Sequence, residues 1–159
     1  MLINCVMLYI KYKKFFIGTN NMQLDNLYQE LIIDHGTDPR NHHVLEHANH
    51  DAEGFNPLCG DKIHIYANIK DNLITDLSFV GHGCAISTAS ASIMSEILKG
   101  KTVTEAVELF KQFKHLLNTE DPAPEALGKL AALAGVRKFP SRVKCATLAW
   151  YTLQQALIK

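Results

Sequence analysis

The stretch Ile63-His64-Ile65-Tyr66-Ala67-Asn68-Ile69 sets an apolar side chain against a polar one at every step. Successive side chains of an extended strand point to opposite faces, so this alternation predicts a strand with one buried face. Asp71-Asn72 supplies turn residues, and Leu73, Thr75, Leu77 and Phe79 resume the alternation beyond it. The two runs predict an antiparallel hairpin.

Working outward toward the N-terminus, residues 40–58 are polar and rich in histidine, with a short strand candidate at Gly54 to Asn56. Before them Leu24, Leu27, Tyr28, Leu31 and Ile32 recur at helical spacing, and Gly36 and Asp38-Pro39 end that helix. On the other side the hairpin ends in Gly81-His82-Gly83. A helix is predicted from about Ala85, with Ile86, Ala89, Ile93 and Ile97 on one face and Gly100 just past its end. Thr102 and Glu105 have the spacing of a capping box. The helix they open shows Val103, Ala106, Val107, Phe110 and Leu117 on one stripe. Asn118 to Pro124 is an acidic, proline-containing loop, and Ala126 to Ala134 reads as a short helix closed by Gly135. Phe139-Pro140-Ser141 reads as a stop followed by an N-cap, with a last helix from about Arg142 to Ile158. Helix, small antiparallel sheet, then several helices is an α+β order.

A chain of 159 residues, nearly half of them apolar, suits one domain with a proper core. Sixteen basic and sixteen acidic residues cancel, which removes the bulk electrostatic case for nucleic acid or a membrane as partner. Four cysteines are too few for a disulfide-stapled secreted domain, so a reducing cytoplasm is expected. Residues 1–21 differ from the rest. An apolar run too short to span a bilayer is followed by the basic Lys11 to Lys14 and a break at Gly18 to Asn21. A secretory signal has the opposite order of charge and apolar run. We expect a dispensable extension with Met22 as a start, no role for Cys5, and a domain over 22–159.

The other three cysteines fall at element boundaries. Cys59 lies in the Asn56-Pro57-Leu58-Cys59-Gly60-Asp61 loop, Cys84 between a glycine loop and a helix, and Cys145 in the predicted first turn of the last helix. Helix N-termini carry free N–H groups and partial positive charge, which favour thiolate over thiol. With Asp61 they offer three sulfurs and one carboxylate, a set suited to tetrahedral zinc or ferrous iron rather than magnesium or calcium. Free cysteines are also common core residues, and no C-x-x-C pair is present, so spacing leaves both readings open. His42, His43, His47 and His50 fit a solvated loop, and His82 stands close to Cys84. His35 ends the first helix, where a cation is favourable; His64 and His115 fit ordinary surface positions. Gly81-x-Gly83 lacks the third glycine of a nucleotide fingerprint.

Three segments in order, Asn56 to Asp61, Gly81-His82-Gly83-Cys84-Ala85-Ile86-Ser87 and Arg142-Val143-Lys144-Cys145-Ala146-Thr147-Leu148-Ala149-Trp150, resemble the U-type iron–sulfur scaffold family. Leu27-Tyr28 through His35 and Pro39-Arg40-Asn41 fit as well, so the likeness covers about 22–159. It implies a three-stranded sheet against several helices and one shared metal on Cys59, Asp61, Cys84 and Cys145. The general scaffold branch has histidine directly before its last cysteine, where this chain has Lys144, and its segment before that cysteine is shorter than Asn118 to Gly135 makes this one. Both departures resemble the SufU branch. That branch implies zinc as cofactor, a cysteine desulfurase (SufS-type) as partner, downstream iron–sulfur assembly proteins as recipients, and Cys59 as sulfur acceptor. Arg142, three residues before Cys145, would support a thiolate or a partner. The alternative within the family is a non-enzymatic scaffold assembling a [2Fe–2S] cluster on the same residues. A lysine ammonium has no lone pair to offer such a cluster.

Overall fold

The computed structural model describes residues 21–158; the expected extension and its Cys5 lie outside them, save for Asn21. Helix α1 (Asn21–Thr37) leads into strands β1 (His50–Asn56), β2 (Asp61–Lys70) and β3 (Leu73–His82). Helices α2 (Ala85–Leu98) and α3 (Val103–Asn118), a 3-10 segment (Glu125–Lys138) and α4 (Pro140–Ile158) follow. The sheet is antiparallel in the order β1-β2-β3. This is the expected α+β architecture.

The predicted hairpin is present. Lys70 pairs with Leu73 across a two-residue loop in which Asp71 (φ 51°) and Asn72 (φ 64°) are both left-handed, the conformation that matches strand twist. Ile63, Ile65 and Ala67 of β2 point inward, with Leu77 and Phe79 of β3. Strand β1 is four residues longer than expected. Its inward positions are Ala52, Gly54 and Asn56, so no large apolar residue marks the alternation. Gly54 is required there: a Cβ would collide with Thr152 Oγ1 of α4.

The helices depart from the sequence in three places. α2 is not amphipathic. Ser87, Ala89, Ser90, Ala91, Ser92 and Ser95 are all buried along with Ile93, Met94 and Leu98, while Ile86 and Ile97 are only half-buried. The expected helix at 126–134 is a 3-10 segment that runs past Gly135, with Gly128 (φ 49°, ψ −122°) interrupting its dihedrals. α4 begins at Pro140, whose missing N–H costs nothing in a first turn. Ser141 is therefore inside the helix rather than its cap, and Cys145 sits in the second turn.

The core gathers around Trp150 of α4, which packs beside Phe110 and Phe113 at ring-centroid distances of 5.5 and 5.4 Å. The α3 stripe holds at Ala106, Phe110 and Leu117 and adds Leu109, Phe113 and Leu116. Thr102 and Glu105 form the reciprocal capping box. His35 corrects an expectation. It is wholly buried, its Nδ1 is 2.7 Å from Ser92 Oγ, and burial lowers its pKa, so it stays neutral instead of serving as a helix-end cation. His64 stands between two carboxylates, Asp51 at 2.9 Å and Glu53 at 3.4 Å. Among the described residues no helix is long and apolar enough to cross a membrane.

Candidate metal centre

Asp61 opens β2 opposite Asn56, the last residue of β1, and the loop between them carries Cys59. Gly60 takes φ 70°, and its N–H bonds to Asn56 O at 2.8 Å, which folds the loop back on itself. Asp61 is fully buried. Its Oδ1 accepts the Cys84 backbone N–H at 2.8 Å and its Oδ2 accepts the Asn56 amide at 3.3 Å. Gly83 permits the first of these bonds, because a Cβ there would lie 2.5 Å from Asp61 Oδ1. Cys84 is the N-cap of α2 and makes no side-chain cap bond.

Cys145 is brought in from the other side by α4. Its sulfur is 3.0 Å from Cys59 Sγ, and the two sulfurs with a carboxylate oxygen of Asp61 all lie within 4.8 Å of one another. The Cys84 thiol stands outside this tight set but near enough to act on Cys145. Burial, then hydrogen bonds with Cys59, Asp61 and Cys84, pushes the Cys145 thiol well above its ordinary value. The thiolate-stabilising helix end expected for Cys145 is thus outweighed, both because the residue lies a turn deeper and because it is buried. Cys59 is half-exposed. Arg142 Nη1 reaches its sulfur at 3.6 Å, and hydrogen bonding to Cys145 followed by the Cys59 and Cys84 charges holds the guanidinium in its cationic form.

A buried carboxylate is ordinarily paired with a cation or bound to a metal. Among the described residues, no ion pair joins Asp61 to a Lys, Arg or His side chain. A buried acid against two or three thiols is instead a donor set into which a thiophilic divalent ion fits. His82 is exposed, and Lys144 is exposed beside the site.

The residue that sequence reasoning left without a role is Asn56. Only 5% exposed, it donates to Asp61 Oδ2 and, at 3.5 Å, to Cys145 Sγ, and its Oδ1 accepts the Leu58 N–H at 3.2 Å. Its place directly before Pro57, at the end of the strand candidate Gly54 to Asn56, was the available signal. A cavity of about 480 Å³ between Leu117, Glu120, Arg137 and Val143 contains none of the sulfurs.

Comparison with known proteins gives one consistent result. Residues 27–157 match the family model described as the NifU-like N-terminal domain. The zinc-dependent sulfurtransferase SufU of Bacillus subtilis is 39% identical over 140 residues, covering 87% of this chain and 95% of that protein. The iron–sulfur cluster assembly scaffold protein IscU of Streptococcus pyogenes is 40% identical over 136 residues, 85% of each chain. Among solved structures, a SUF-system scaffold candidate from Fervidobacterium islandicum superposes with a TM-score of 0.77 at 38% identity, over 80% of this chain and 94% of the other.

Proposed function

The chain belongs to the family of NifU-like N-terminal domains, and from that premise we propose that it serves iron–sulfur cluster assembly as a zinc-dependent sulfur carrier. Cys59, Asp61, Cys84 and Cys145 would hold the ion. Bound zinc keeps thiols deprotonated at neutral pH and, having no redox chemistry, does not promote their oxidation. The observation that carries the proposal is the inequality of the thiols: Cys59 is half-exposed on a loop, whereas Cys145 is buried on a core helix.

The chain's own residues then divide the work. The Cys59 thiolate attacks the outer sulfur of a persulfide presented by a cysteine desulfurase. A new S–S bond forms on Cys59, the donor's S–S bond breaks, and the donor cysteine leaves as a thiolate. Arg142, 3.6 Å from Cys59 Sγ, offsets negative charge on the attacking sulfur. Asp61 stays fixed by the Cys84 N–H and Asn56, and Cys145 stays fixed by α4, so the pocket keeps its shape while Cys59 moves.

The named relatives also support a scaffold that builds a [2Fe–2S] cluster on the same residues. Metal analysis of the purified protein, paired with a desulfurase assay, separates the two. We expect about one zinc per chain, and Cys59→Ala should abolish desulfurase stimulation while leaving the fold and most of the zinc. Unaltered stimulation by Cys59→Ala defeats the acceptor role. A stable coloured cluster after anaerobic reconstitution, transferable to an apo-protein, favours the scaffold.

A further inference from the structure

The Cys145 thiol holds a position that metal binding alone does not exhaust. It donates to Cys59 Sγ at 3.0 Å, a separation at which reacting atoms are poised for attack. Cys145 is wholly buried on α4, whereas Cys59 is half-exposed on its loop. Sulfur handed to Cys59 by another protein therefore arrives on the solvent side, with Cys145 behind it. The Cys84 thiol does not belong to the set whose donor atoms lie within 4.8 Å of one another.

A persulfide carries two sulfurs open to attack. A thiol that attacks the outer sulfur takes it over, and one that attacks the inner sulfur expels the outer one as hydrosulfide. Once Cys59 bears a persulfide, its own Sγ is the inner sulfur, and that is the atom Cys145 reaches. Displacement at sulfur runs in line, so attack from the buried side sends the outer sulfur toward solvent. Arg142 is exposed, and its Nη1, 3.6 Å from Cys59 Sγ, offsets the charge that develops on the departing sulfur.

We infer that Cys145 is the resolving thiol of this site and turns the sulfur accepted on Cys59 into free sulfide. The inference rests on the reading of Cys59 as sulfur acceptor. An S–S bond forms between Cys145 and Cys59, and the bond from Cys59 Sγ to the outer sulfur breaks. The two cysteine sulfurs together lose two electrons, and the outer sulfur gains them. The Cys145 proton leaves through Asp61, to which the thiol is also hydrogen-bonded, and the hydrosulfide takes a proton from water. Sulfide is the oxidation level of sulfur in an iron–sulfur cluster, so the released sulfur needs no further reduction. A dithiol reductant then resets the disulfide.

The test loads the full purified chain from a cysteine desulfurase and L-cysteine without added thiol, the desulfurase alone serving as blank. Released sulfide is measured colorimetrically, and the cysteine products are mapped by mass spectrometry after alkylation. We expect about one sulfide per chain, in step with a Cys59–Cys145 disulfide. In Cys145→Ser, Cys59 should still take up sulfur, but its persulfide should last about tenfold longer or more, with no sulfide burst. A longer-lived persulfide is a gain that a damaged fold or a lost metal ligand does not produce. Sulfide without that disulfide, a Cys59–Cys84 disulfide, or equal persulfide lifetimes in the two chains overturns the assignment. Should Cys145→Ser fail to fold, the unmodified chain decides alone: sulfide and the Cys59–Cys145 disulfide rising together support the assignment, and either without the other overturns it. If the unmodified chain takes no sulfur on Cys59 from the desulfurase or from inorganic polysulfide, the acceptor reading itself fails. That result is distinct from a persulfide that forms and persists, which defeats the resolving role alone.

Discussion

Each hydrogen bond of the Asn56 side chain ends on Asp61, on Cys145 or on the turn that leads to Cys59. Its amide steadies Asp61 and Cys145, and its carbonyl oxygen closes the turn before Leu58-Cys59. Groups that orient metal ligands without touching the metal typically change affinity by about 10–100-fold when removed. Asn56→Ala should therefore weaken zinc binding by about that range in competition with a chromophoric chelator. In the cobalt-substituted protein it should also shift the visible absorption bands, which a loss of stability alone does not. Unchanged affinity and unchanged bands would leave Asn56 a plain loop residue. The candidate donors are conspicuous in the sequence, because cysteines at loop and helix boundaries stand out. Their inequality is not legible there. That depends on burial and on distances between residues 59, 61 and 145, and the buried amide between them looks like any loop asparagine.

At the level of elements, the clearest local signals were the ones whose physics is local. The β2–β3 hairpin and the capping box of α3 depend on residues within a few positions of each other, and both are where the sequence places them. Strand β1 was underread because its inward side presents Ala52, Gly54 and Asn56, small or polar residues selected by the approach of α4. The alanine and leucine content of 126–134 predicts a short helix closed by Gly135 and gives no hint of the 3-10 geometry or of the break at Gly128. The capping box gives a measurable quantity. Thr102→Ala removes the side-chain acceptor for the Glu105 N–H and should cost about 1 kcal/mol, read as a lower midpoint in thermal or denaturant unfolding. Zinc content should not change, since α3 contributes no donor to the site. A loss of metal in this variant would show that the helix and the site are linked more directly than their separation suggests.

Across the whole molecule, α1 is joined to α2 by a polar seam. His35 meets Ser92, the Arg40 backbone N–H reaches the same hydroxyl at 2.8 Å, and the Asn41 amide reaches Ser95 at 2.9 Å. Burial and then the positive charge of Arg40, with a smaller contribution from Lys129, lower the His35 pKa; Glu96 and Asp34 oppose them. The folded state thus binds fewer protons here than the unfolded chain. The contribution of His35 is complete above the ordinary histidine value near 6.5 and is lost as pH falls through the lower folded value. Melting temperature should decline across that window, and His35→Gln should flatten the decline; an identical slope in the variant would place the titration elsewhere. The same seam says something about descent. α2 is enclosed by α1, α4, β3 and the 3-10 segment, and its inward positions are filled by serine and alanine. Larger side chains there would overpack, typically at about 1–3 kcal/mol each. Drift among related sequences should therefore leave α2 nearly still while Ile86, Glu96 and Ile97 vary. A library built to change this protein would find its tolerant positions on the surface of α3 and almost none along the helix that Cys84 begins.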